Sequence, residues 1–407
     1  MNDWKSHQLG ELTEILSGKR IFASDYVLEG ILFYRSKEII QKALGQEISN
    51  PLYIKQERFD EIKNKFGSPK DGDLLISAVG ERAGMPYHLK NEVNFYFKDG
   101  NLIWFRNFTE LLDSEYLCYF FKSRIGQHML EAQMIGSAQK ALTISGLKGM
   151  TLKTPPLLEQ KAIAKVLTAF DDKIELLQQQ NQTLETIAQT IFKEWFGRYQ
   201  LDDELPAGWR VGKLRETGKV ICGKTPSKSN KDFYGKEIPF IKIPDMHNQM
   251  FIVKTTDNLS QLGSNSQKNK TIPANSICIS CIATVGLVSL TVQDSQTNQQ
   301  INSILPKKDF FREFLYFRLS KMNKYLNDLG SGGTATLNVN TSTFSNIEIV
   351  IPTEDVLKSF NKIQLPIFEK ILTNMTQIQS LTKTRDTLLP KLMSGALRVA
   401  EVWAGKG

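Results

Sequence analysis

Histidine and cysteine are scarce, four of each in 407 residues, and neither set is spaced like a chemical site. His7, His88, His128 and His247 form no His-Glu-x-x-His pair and no triad, which leaves zinc-dependent or histidine-assisted hydrolysis without a sequence basis. Cys118, Cys222, Cys278 and Cys281 are too few and too scattered for a disulfide framework. Cys278 and Cys281 make a Cys-x-x-Cys, but they lie in the run Ser276 to Ile282, which reads as a buried strand with packed thiols. With no second pair beside it, no metal is expected. A phosphate-binding Gly-x-x-x-x-Gly-Lys-Ser/Thr loop is missing too, since Gly18-Lys19 and Gly223-Lys224 lack the upstream glycine. There is no glycine-rich strand-to-helix turn for a nucleotide cofactor and no Asn-Pro-Pro-Tyr to hold a flipped base. Pro244-Asp245 is not followed by the acidic-x-Lys of a metal-dependent nuclease. No apolar run reaches the ~18 residues of a membrane span, and Met1 to His7 carries no signal-peptide core, so a cytoplasmic protein without membrane contact is expected.

Positive charge, by contrast, is in excess. The net charge is +8, and residues 210–353 hold 18 Lys and Arg against 10 Asp and Glu, while the stretch before 158 is nearly balanced. Clustered cations of this kind favour an anionic partner, with the second half supplying more of any salt-dependent affinity.

The chain also repeats itself. Trp4 precedes Gly18-Lys19 as Trp209 precedes Gly223-Lys224, and Gly72-Asp73-Leu74-Leu75-Ile76-Ser77 resembles Asn275-Ser276-Ile277-Cys278-Ile279-Ser280. Leu147 to Pro155 parallels Phe344 to Pro352, and each proline opens a long helical pattern. These stations keep an offset of about 200 residues, the mark of a diverged tandem repeat.

The first helical pattern, from Glu159 to Phe196, places Ile163, Leu167, Phe170, Ile174, Leu177, Leu184, Ala188, Ile191 and Trp195 at alternating steps of four and three. Asn181 falls on this seam, either as a tolerated polar residue or as one that sets register. The second, from about Thr353 to Ser394, carries Phe360, Ile363, Ile367, Ile371, Ile378, Leu381, Leu388 and Leu392. Pro366 is expected to break or kink it, and Pro390 to disturb its end. The expected fold is α+β: two repeated mixed α/β globular domains, separated by two long antiparallel coiled-coil helices in a pseudo-two-fold arrangement. Its boundaries are 1–156, 157–197, 205–352 and 353–396.

In this order, several short stretches resemble the specificity subunits of type I restriction-modification enzymes. They are Leu205-Pro206-Ala207-Gly208-Trp209, Gly223-Lys224-Thr225-Pro226-Ser227, Ile238 to Asp245, Asn298-Gln299-Gln300-Ile301, Pro155 to Gln160 and Leu388 to Gly395. The first unit departs from the pattern, with Ser17-Gly18-Lys19-Arg20 and Lys98-Asp99-Gly100-Asn101 at the matching stations. The resemblance implies a non-catalytic subunit in which 1–156 and 205–352 are target recognition domains for the halves of an interrupted site in double-stranded DNA. It also implies two methyltransferase subunits as partners and, through them, motor-nuclease subunits. S-adenosylmethionine and ATP with magnesium would then sit on those partners, and this chain would bind no cofactor.

Arg grips guanine, Asn or Gln grips adenine, and Lys holds phosphate. The candidate DNA contacts are therefore Lys19, Arg20, Arg35, Lys37, Arg82, Gln139 and Lys140 in the first unit. In the second they are Lys224, Ser227, Lys228, Lys242, Asn298, Gln299, Gln300 and Thr334. The glycine-containing loops Gly136 to Lys140 and Gly332 to Thr336 either approach phosphate or make tight turns. Tyr119-Phe120-Phe121 and Tyr316-Phe317 are expected in the core rather than on bases. Two other readings stay open: a self-contained nuclease or methyltransferase, and a coiled-coil adaptor that binds proteins only.

Overall fold

The computed structural model describes residues 4–92, 94–136, 140–330 and 339–399. They gather into two units that interleave along the chain. The first takes the sequence up to Glu175 and again from Leu381, and the second takes Leu176–Ser380.

The first unit opens with strand Lys5–Gln8, paired antiparallel with Thr151–Thr154 from its far end. Between them, a four-stranded sheet runs in the order Glu14–Ser17, Leu102–Arg106, Leu74–Ser77, Pro86–His88. Leu74 to Ser77 is buried throughout, as its unbroken apolar run requires. Helix Ser114–Lys122 is capped by Asp113, whose Oδ1 accepts from the Tyr116 N–H at 2.8 Å. It buries Tyr116, Leu117, Phe120 and Phe121 in the core shared with Leu74, Ile76 and Phe105. A second sheet runs Tyr26–Val27, Leu52–Ile54, Ile31–Tyr34, Phe95–Phe97, its last pair parallel.

The second unit repeats the order of the terminal strand pair and of the main sheet. Arg210–Lys213 pairs with Glu348–Ile351. The main sheet runs Gly218–Cys222, Ile301–Pro306, Ile277–Ser280, Val288–Thr291 and adds Phe251–Ile252. The small sheet runs Asp257–Leu259, Tyr234–Ile241, Gln296–Thr297, again ending in a parallel pair. In the second unit Leu259 pairs with both Tyr234 and Ile238, a bulge within one strand, where the first unit has two separate strands, Tyr26–Val27 and Ile31–Tyr34, each pairing with Ile54.

The long helices are Leu157–Phe196 and Glu354–Met393, 40 residues each, or about 60 Å at ~1.5 Å per residue. In the first unit Ile163, Ala164 and Leu167 pack with Leu392 and Met393, and Arg385 Nη1 meets Asp171 Oδ1 at 2.6 Å. In the second, Ala188, Phe192 and Phe196 pack with Phe360, Phe368 and Ile371. There Gln364 Nε2 donates to the Ala188 carbonyl at 3.0 Å and Asn374 Nδ2 to Asn181 Oδ1 at 2.9 Å. Rising numbers on one helix meet falling numbers on the other, so the strips in each unit are antiparallel.

Of the seam, Ile174, Leu177 and Asn181 are buried, while Phe170, Leu184, Ile378, Leu381 and Leu388 are half-buried. Two expectations need correcting. The second helix is not broken at Pro366, and its span Glu354–Met393 includes Pro390. Proline removes one backbone bond per site, and around Pro366 the buried Phe360, Gln364, Phe368 and Ile371 hold the turns on either side. Ile363 is 43% exposed, its place in the core taken by Gln364 and Phe368. No described helix is long and apolar enough to cross a membrane.

Candidate nucleic-acid interface

In the second unit the chain leaves Gly218–Cys222 through Gly223-Lys224-Thr225-Pro226-Ser227, pressed against the turn Thr297 to Gln300. A Cβ on Gly223 would collide with the carbonyls of Thr297 and Asn298, so only glycine permits this approach. The Lys224 N–H donates to the Thr297 carbonyl at 2.9 Å, and the Lys224 carbonyl accepts from the buried Gln267 Nε2 at 2.8 Å. Gln267 Nε2 also donates to Gln296 Oε1, and Gln296 in turn donates to Ser264 and Thr271. A buried amide network beneath the loop, in which Gln267 Oε1 has no partner, therefore sets where its side chains stand.

Above it lies a cleft of about 460 Å³ lined by Thr225, Lys228, Tyr234, Phe240, Lys242, Asp257, Asn298, Gln299 and Gln300. Five sequence candidates, Lys228, Lys242, Asn298, Gln299 and Gln300, meet here. Asn298 is buried and engaged within its own turn: Nδ2 donates to Gln300 Oε1 at 2.8 Å, and Oδ1 accepts from the Gln300 N–H at 3.1 Å. Gln299 is exposed, with Oε1 accepting from Thr225 Oγ1 at 2.5 Å. Lys242 Nζ is ion-paired with Asp257. Lys224, Ser227 and Lys228 are exposed beside the cleft, Ser227 bonded to Ser229 at 2.7 Å. Amides and a carboxylate next to Tyr234 and Phe240 suit a base edge and sugar, and the flanking lysines suit phosphate.

In the first unit the candidates are spread more widely. Lys19 and Arg20 leave the end of Glu14–Ser17, with the Lys19 N–H donating to the Tyr96 hydroxyl at 2.8 Å. Arg20 Nε lies 3.6 Å from Asp99. Arg35 caps helix Ser36–Ala43, and its Nε and Nη2 hold Glu38 at 3.0 and 2.5 Å. Burial pushes the Glu38 carboxyl up, but the Arg35 side chain and N–H outweigh it and leave the group below its ordinary range. Lys37, Arg82 and Lys140 are exposed, with Arg82 in the turn before Pro86–His88, the far edge of the sheet that Glu14–Ser17 begins. Gln139 and Thr334 lie outside the described residues.

Cys278 and Cys281 are buried, and burial pushes their thiols up to about 12 and about 11. Among the described residues no group of three or more His, Cys, Asp or Glu is placed to hold a metal. Tyr119, Phe120, Phe121 and Phe317 are buried in the cores. Sequence reasoning missed Thr225, Tyr234, Phe240 and Asp257 as cleft residues. Tyr234 could have been found from the repeat, since it opens a strand of the small sheet as Tyr26 does.

The model of the type I restriction modification DNA specificity domain matches residues 1–186 and again 206–386. The HindI specificity subunit of Haemophilus influenzae is 37% identical, over 98% of this chain and 100% of its own length. The MjaIX specificity subunit of Methanocaldococcus jannaschii is 33% identical, over 71% of this chain and 70% of its own. In fold, the chain is similar to the crystal structure of a type I restriction-modification S subunit from M. genitalium. The TM-score is 0.66 at 16% identity, with 96% of both chains covered.

Proposed function

This chain belongs to the type I restriction modification DNA specificity family, and on that premise we propose that it is the sequence-reading subunit of a type I restriction-modification complex. Domains 1–156 and 205–352 each read one half of an interrupted site in double-stranded DNA. The observation that carries this is the repetition of one main-sheet strand order around two differently furnished basic loops. Two copies of one scaffold with unlike side chains suit a two-part, asymmetric target. The subunit is non-catalytic and works in the cytoplasm. It docks two methyltransferase subunits and, through them, motor-nuclease subunits, which carry S-adenosylmethionine and ATP with magnesium.

The helical segments 157–197 and 353–396 set the gap between half-sites. A heptad inserted in both helices adds ~10 Å, about three base pairs.

The test is co-expression with the cognate methyltransferase subunits and genome-wide mapping of methylated adenines. One interrupted motif, lost when either recognition domain is deleted, is expected. An assembled complex that methylates nothing, or cleavage by the isolated chain, would overturn the reading. With the heptad insertion, an unchanged gap would remove the ruler.

A further inference from the structure

The loop beside the cleft of the second unit carries different residues from its counterpart in the first. At the same station after Gly-Lys, the second unit places Thr225-Pro226-Ser227 and the first places Arg20-Ile21-Phe22. Pro226 and Ile21 are both buried and plug their loops into the unit below. The next residue faces solvent in both, but where one unit shows the Ser227 hydroxyl the other shows a phenyl ring that is 57% exposed. That ring sits on an anchored loop. The Phe22 N–H donates to Asp25 Oδ2 at 3.0 Å, opening the turn Ala23–Asp25, and Arg58 Nη2 donates to the Arg20 carbonyl at 3.4 Å.

Charge surrounds it. The Arg20 guanidinium, 72% exposed, stands 5.9 Å from the Phe22 ring centre, and Lys19 Nζ stands 4.2 Å from that of Phe66, itself 44% exposed. Exposed aromatic rings paired with cations need a partner that is both flat and apolar and densely anionic. Stacked bases between phosphates meet that description, whereas an apolar protein face would offer the cations no added charge.

We propose that Phe22 is a stacking wedge that enters a base step of the first half-site while Lys19 and Arg20 hold the flanking phosphates. The two units then read DNA by different means, the first by opening a step and the second by amide contacts from a cleft. This rests on the DNA-recognition reading above.

The experiment uses the full complex with methyltransferase subunits and duplexes carrying 2-aminopurine through the mapped first half-site. Wild type is expected to raise fluorescence at one step. Phe22→Ala should abolish that rise and weaken binding ~10- to 100-fold, the loss of one base stack, with an unchanged melting temperature. Phe22→Trp should restore both. Unchanged fluorescence and affinity in Phe22→Ala would overturn the proposal, as would a variant that fails to assemble with its partners, which would make the patch a protein contact. If the wild-type complex shows no site-specific binding, the recognition reading itself falls and takes the wedge with it.

Discussion

Arg35 and Lys242 stand at matching places. Each opens a turn by donating its backbone N–H to a carboxylate three residues on, Glu38 or Asp245, at 2.9 Å. Their side chains then diverge. Arg35 is held by Glu38, which is 2% exposed, whereas Lys242 lines the cleft against Asp257. Arg35→Ala should therefore act chiefly on stability, costing about 2 kcal/mol because a buried carboxylate loses its charged donor, as read by denaturant unfolding. Because the folded Glu38 pKa lies below its ordinary 4.5, its stabilisation is present above that value and is lost as pH falls through the folded pKa. Wild type should lose stability more steeply than Glu38→Gln under pH 4.5, measured by melting at stepped pH. Lys228→Ala, at an exposed position beside the cleft, should weaken binding to all sequences. It should also reduce the slope of log affinity against log salt by about one, whereas Gln299→Ala should change base preference at the second half-site. Side-chain types in the sequence singled out Lys228, Lys242, Gln299 and Gln300, which the fold brings to one cleft. They could not reveal that Asn298 is bound within its turn, or that Tyr234 and Asp257 complete the cleft, because three chain-distant loops converge there.

Among the elements, the long helices were the most legible, since heptad spacing reports an amphipathic face directly. No break occurs at Pro366 because a local rule gave way to burial: Phe360, Phe368 and Ile371 are fully buried, and each such side chain contributes roughly 1.5–3 kcal/mol, enough to carry the turn that Pro366 weakens. Pro366 is exposed, so Pro366→Ala should raise stability by about 1–3 kcal/mol, seen as a higher melting temperature with the methylation motif unchanged. The opposing Asn374 had no signal in the second heptad pattern, yet it meets Asn181 across the seam. Polar pairs at such positions lower stability and fix alignment. Asn374→Ala alone should destabilise by about 1–3 kcal/mol by stranding Asn181, and the double change to leucine should recover the loss; a double variant as weak as the single one would count against this account.

For the molecule as a whole, the tandem repeat could be read in the sequence and the interleaving could not. Periodicity shows that a helix has an apolar face, but not which core receives it. Leu392 and Met393 join the core of Leu117, Leu152 and Ile163, more than 200 residues earlier in the chain. Removal of residues from Leu381 onward should therefore cost the first unit its cooperative unfolding while the second still melts, checked by calorimetry.

That arrangement also bears on biosynthesis. A ribosome makes most of the first unit first, yet the helical segment that closes its core emerges only after the inserted unit has been made. During the intervening translation Ile163 and Leu167 wait for Leu392 and Met393, a window in which a nascent chain depends on chaperones, while the inserted unit can complete itself in a single pass.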